Sequence, residues 1–222
     1  MTADERVVID GPTHRLIPSR FPPIGAFDDV ASPGDLAAVM ELEGWTNDRL
    51  VAERLKRLPE SEWVYGRANA SVVMASFLHT PPTGLRFSSG ALGAWYGAMR
   101  IETAVAEVGH HLRRELVASR MDRFTATYRA YGARLAGLYL DIRDVTSAPA
   151  GLYSSSDYGA AQAFGEAARA RGEDGLFYAS LRHRGGENIC AYRPSKILDV
   201  TQAGHIELTI RRDGPIIARR LA

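Results

Sequence analysis

Residues 86–112 read RFSSGALGAWYGAMRIETAVAEVGHHL, and the change of period inside this stretch sets the fold class. LRFSS (85–89) and GAWYGAM (93–99) have the short aromatic and small-residue texture of strands, with Gly90 punctuating them. From Ile101 the spacing changes. Ile101, Ala104, Val105, Val108 and Leu112 recur at the three- and four-residue interval of a helix with one apolar face, running from 101 to about 119. Arg86, Tyr96 and Glu107 therefore fall on three consecutive pieces of chain. They either face one another across a pocket or decorate a surface.

Downstream, the β-branched and aromatic run Phe124–Ile142 predicts one long strand or a bent pair. Ser156 or Asp157 is placed to cap a helix that runs to Arg171 and stops at Gly172. DGLFYAS (174–180), NICAYRP (188–194) and HIELTIRR (205–212) read as three further strands. Upstream, residues 1–13 are polar and read as loose, and HRLIPSRF (14–21) is a short strand closed by Pro22-Pro23. Thr46-Asn47 caps a helix, NDRLVAERLKRL (47–58), with Leu50, Val51, Leu55 and Leu58 on one face. ANASVVMASFLH (68–79) is a second helix, stopped by Pro81-Pro82. Strands and helices mix from residue 86 onward, so the expected class is α+β with a mainly antiparallel or split sheet flanked by helices. One domain spans 1–222, with a helical insert at 24–83 and a core at 84–212.

The bulk numbers narrow the function. Hydrophobic residues are 45% and charged residues 24%, the balance of an ordinary globular protein. A net charge of +1 gives no general attraction to nucleic acid or to a membrane surface. The basic RRDGPIIARR (211–220) reads as a solvated edge rather than a nucleic-acid patch. The lone Cys190 forms no internal disulfide, which suits a reducing compartment, and no leader or 18-residue apolar run is visible; a cytoplasmic protein is expected. GALGAWYG does not fit the dinucleotide fingerprint, and the P-loop, HExxH and GxSxG motifs are absent. His110 and His111 point about 100° apart on a helix and do not suit one shared metal.

What remains is a set of polar residues embedded in apolar strands: Arg15, Arg86, Tyr96, Ser180 and Arg182. Guanidinium groups bind phosphate or carboxylate bidentately, and a tyrosine adds a stacking face with a polar tip. On a helical wheel Glu107 lies about 120° from the centre of the apolar stripe, on its shoulder. It is either a boundary carboxylate paired with His111 or an arginine, or part of an anion-binding pocket.

In this order the pieces resemble the RES domain, named for an arginine, a glutamate and a serine. They are HRLIPSR (14–20), RFSSG (86–90), WYGA (95–98), ETAVAEV (102–108) and GLFYASLR (175–182), with eleven residues from Tyr96 to Glu107. The resemblance implies a fold similar to ADP-ribosyltransferase toxins, with NAD as substrate and no metal. It implies a toxin of a bacterial toxin–antitoxin pair, partnered by an Xre-type helix-turn-helix antitoxin. Such proteins cleave the nicotinamide–ribose bond and pass ADP-ribose to water, phosphate or a target protein. Carried over to this chain, Glu107 would stabilise developing charge or hold a ribose hydroxyl, and Arg15 and Arg86 would clamp the pyrophosphate. Tyr96 would stack on nicotinamide, and Ser180 would fix a ribose or amide group. Arg20 is an alternative to Arg15, because the first arginine here follows His14 rather than an aromatic residue. A catalytically inactive nucleotide-binding module and a nucleic-acid-binding protein are the competing readings.

Overall fold

The computed structural model describes residues 5–21, 25, 27–32, 34–35 and 53–221. The helix expected at 47–58 lies partly outside them. Within the described part Leu55 and Leu58 are buried, as the apolar stripe requires.

Nine strands form one sheet: β1 (Arg6–Val8), β2 (Thr13–Pro18), β3 (Trp95–Ala98), β4 (Arg123–Leu135), β5 (Leu138–Asp141), β6 (Gly175–Ala179), β7 (Glu187–Ala191), β8 (Ile197–Arg211) and β9 (Ile217–Leu221). Their spatial order is β1-β5-β6-β7-β3-β2-β4-β8-β9. Every neighbouring pair is antiparallel except β5–β6. The sheet is α+β and mixed, and it has a seam. β2 pairs with β4 along its full length, yet it meets β3 only at His14↔Ala98. Two half-sheets thus join at one residue pair.

Three α-helices that lie wholly within the described residues pack on it: α1 (Ala70–Leu78), α2 (Ile101–Ala118) and α3 (Gly159–Ala170). Strand alternation sorts them by face. α1 buries Val73, Met74 and Phe77 in one cluster with Trp95, Tyr131, Phe177 and Ile189. Each such side chain, fully buried, contributes about 1.5–3 kcal/mol. On the opposite face α3 packs Ala161 and Ala168 with Leu140, Leu176 and Cys190. α2 lays Ala104, Leu112 and Leu116 onto Leu16, Ala98, Tyr128 and Leu208. α2 and α3 therefore lie on the same face, α2 across the seam on β2 and β3 and α3 over β6. Gly165 sets the approach of α3, because a Cβ there would lie 2.1 Å from the Phe87 carbonyl oxygen.

Several expectations are corrected. LRFSS is a turn, not a strand: Leu85 bridges Ser88, and the next amide, Ser89 N–H, donates to the Glu166 carboxylate at 2.7 Å. Residues 6–8 are not loose, because they pair with β5 and Arg6 binds Glu173. Neither Ser156 nor Asp157 is the N-cap of α3. Tyr158 takes that position, and Asp157 Oδ1 accepts the Gly159 N–H at 2.9 Å. The run 124–142 takes the second of its two expected forms, a pair of strands divided by Gly137, whose φ of 98° turns the chain away, and β4 and β5 lie in different halves. β8 begins at Ile197, earlier than its sequence pattern indicates, and β9 is the exposed basic edge.

Candidate active site

The seam opens into a cavity of about 230 Å3. Its floor is His14, Arg15 and Leu16 of β2 with Tyr96, Gly97 and Ala98 of β3. α2 supplies one side through Glu107, Val108 and His111. Arg86, Tyr158 and Tyr178 form the other, and Asn188 of β7 reaches in between.

Glu107 is held by one oxygen. Its Oε1 accepts from Ser180 Oγ at 2.7 Å and from Asn188 Nδ2 at 2.8 Å. Its Oε2 accepts nothing from the described residues. Neither His111 nor an arginine pairs with it, so the boundary ion pair allowed by spacing does not form. Ser180 is fully used in this task. Its proton goes to Glu107, while its oxygen accepts the Arg182 N–H at 3.1 Å and the His183 N–H at 3.0 Å. A hydroxyl has one donor and two acceptor sites, so no capacity remains for a ligand. Ser180 pins the turn after β6 and the carboxylate together.

Both arginines are half-committed. Arg86 Nη1 donates to the Leu152 and Ser154 carbonyls at 3.1 and 2.8 Å, and its guanidinium lies 4.6 Å from the Tyr158 ring centroid. Its Nε and Nη2 donate to no described residue. Arg15 Nη1 donates to the Tyr96 carbonyl at 2.8 Å, its guanidinium lies 5.0 Å from the Trp95 ring centroid, and its buried Nε has no partner. Burial pulls the Arg15 guanidinium down to about 10, which leaves it cationic at neutral pH. A planar fork with donors to spare suits an anion. Arg20 is exposed, rests on Phe21 and does not line the cavity, whereas Arg15 does. Arg182 binds the Ser155 carbonyl instead.

Tyr96 shows its ring to the cavity, but its hydroxyl is a latch. It accepts the Phe87 N–H at 2.9 Å and shares a proton with Ser88 Oγ at 3.1 Å. Burial raises this phenol well above its ordinary value, so it stays neutral. The latch fixes the turn that carries Arg86. Among the described residues, no cluster of three or more His, Cys, Asp or Glu is arranged to hold a metal ion.

Asn188 and Tyr178 line the cavity from β7 and β6, and their strand pattern alone does not single them out. Asn188 is 2% exposed, a polar side chain inside NICAYRP, and the rule that singled out Arg15 and Ser180 applies to it equally.

The RES domain matches residues 54–211. This chain belongs to the RES domain family. Arg86, Tyr96, Glu107, Ser180 and Asn188 fall inside the match, whereas Arg15 precedes it. A curated relative, the uncharacterized protein y4oC of Sinorhizobium fredii (strain NBRC 101917 / NGR234), is 34% identical over 103 residues. That alignment covers 46% of this chain and 44% of the relative, so the chain spans less than half the relative's length. Among solved structures the RES domain is similar to a chain of the crystal structure of the M. tuberculosis MbcT–MbcA toxin–antitoxin complex. There the TM-score is 0.45 and the identity 15%, over 89% of this chain and 86% of that one. No helix among the described residues is long and apolar enough to cross a membrane.

Proposed function

We propose that this RES domain cleaves the nicotinamide–ribose bond of NAD and passes the ADP-ribosyl group to water, phosphate or a protein. The observation that supports it most is Glu107, a carboxylate fixed by neutral donors with one oxygen that has no partner among the described residues, in a cavity that also carries two arginines. NAD, when bound, supplies a C–N bond whose cleavage builds positive charge on the ribose carbon, as in glycoside hydrolysis. Glu107 answers that charge. For scale, loss of one preorganised hydrogen-bond donor aimed at developing charge costs about 2.7–4 kcal/mol of barrier. Its neutral partners matter, since a cation on Glu107 would spend the charge before the reaction.

Arg15 and Arg86 clamp the pyrophosphate through their remaining donors. The Tyr96 ring offers a face to nicotinamide. Ser180 acts on Glu107 and not on the substrate. The cavity, at about 230 Å3, is smaller than the ~300–1,000 Å3 of pockets that enclose a drug-sized ligand. It fits the nicotinamide–ribose half, with the adenylate half lying across the mouth.

Membership of the RES domain family supports the wider role: the toxin of a bacterial pair, restrained by an Xre-type antitoxin. The test is nicotinamide release by purified protein, with and without phosphate, followed by mass spectrometry. Free ADP-ribose identifies a glycohydrolase, ADP-ribose 1″-phosphate a phosphorylase, and a labelled protein band in cell extract a transferase. Folded protein that binds NAD without turnover in any of these would replace the enzyme with a binding module.

A further inference from the structure

Glu107, as a carboxylate, answers the positive charge that develops on the ribose carbon. A hydroxyl acceptor must lose a proton somewhere. We propose that His111 takes that proton as the acceptor oxygen attacks the ribose carbon; this rests on the NAD-cleaving reading and assigns a residue outside the arginine, tyrosine, glutamate and serine set.

His111 follows Glu107 by one helical turn on α2, and both side chains line the cavity. Glu107 is half-buried and His111 exposed, so the histidine stands on the solvent side, where an acceptor arrives. Neither ring nitrogen hydrogen-bonds a described residue. Its ring contact is an edge-on approach of His110 at 5.6 Å between centroids. His14 also lines the cavity, but its charged neighbour is Glu102 at the start of α2, whereas His111 feels Glu107 and Arg86 together. Partial desolvation against the cavity wall lowers His111 below its ordinary value; Glu107 opposes this, and Arg114, Arg182 and Arg86 add to it. The imidazole is therefore neutral at pH 7 and ready to accept.

The step balances. The C–N bond to nicotinamide breaks, and its electron pair leaves with nicotinamide. The acceptor oxygen bonds to the ribose carbon, and its proton moves to His111, which later releases it to water. An anionic nucleophile has no such proton to lose, and this separates a base from a structural residue.

The experiment compares the full chain with His111→Ala, following nicotinamide release in water, in methanol and with azide. The expected result is a loss of about 10²-fold or more with water and methanol. The azide reaction should stay within about threefold, and the acid limb of the wild-type pH profile, below the ordinary histidine value of about 6.5, should vanish. NAD affinity and melting temperature should stay unchanged, as His111 is exposed. An equal loss with azide and water, or no loss at all, overturns the role of His111 while leaving the NAD reading standing. A wild-type protein that releases no nicotinamide in any arm overturns both.

Discussion

Glu62 and Glu107 are carboxylates held by fixed donors, and they are held differently. Glu62 is 5% exposed, with both oxygens taken. Oε1 accepts from Arg193 Nε at 2.7 Å, and Oε2 from the Ser195 hydroxyl at 2.6 Å and its N–H at 3.2 Å. Glu107 has no cation among the described residues and leaves Oε2 open. The arginines repeat the contrast. Arg54 is buried and donates to the Leu78, Thr80 and Gly90 carbonyls, whereas Arg86 keeps three N–H groups in reserve. Glu62 and Arg54 commit their charge to the protein and hold the chain. The seam leaves valences open, and open valences in a cavity are what a substrate can use.

Exchanging the two kinds of residue should break this contrast most visibly at Glu107. Glu107→Gln should lower NAD turnover about 10²–10³-fold with little change in melting temperature. Arg54→Ala should do the reverse. Three carbonyls lose a partner, stability falls by about 3 kcal/mol in urea titration, and turnover per folded molecule persists. Glu62→Gln should cost about 1–2 kcal/mol, discounted because Arg193 is 41% exposed and partly screened. Ser180→Ala sharpens the contrast from within the site. Asn188 still holds Glu107, so kcat should drop about tenfold, or about 1.4 kcal/mol, while KM scarcely moves; a rise in KM instead would return Ser180 to the substrate.

The smallest effect concerns pH. His110 is pulled down to about 4, chiefly by burial and then by Arg182, and its Nε2 has no partner. The unfolded chain therefore binds this proton more readily than the folded one. Stability should be full above pH ~6.5 and decline as pH falls toward 4. His110→Phe should flatten that decline in acid melts; an unchanged slope would place the acid sensitivity elsewhere.

The elements legible in the sequence were those whose pattern is local. α2 shows its stripe from Ile101 to Leu112, and β6 and β7 show β-branched and aromatic runs. β1 has three residues and forms through β5, more than a hundred residues away, so no local signal exists. The turn at 85–88 looked like a strand because the groups that satisfy it, the Tyr96 hydroxyl and the Glu166 carboxylate, come from elsewhere. In the site, residue types announced Arg15, Arg86 and Glu107, but the partners did not follow from spacing. His111 at i+4 suggested an ion pair, and the fold supplied Ser180 and Asn188 from across the seam. The substrate contact expected of Ser180 competes with the three protein hydrogen bonds its hydroxyl already makes.

The most direct test pairs calorimetry with nicotinamide release on Glu107→Gln. The account predicts NAD bound with near-wild-type affinity, since the arginines are intact, and turnover reduced at least about 10²-fold. Turnover at the wild-type rate would contradict it.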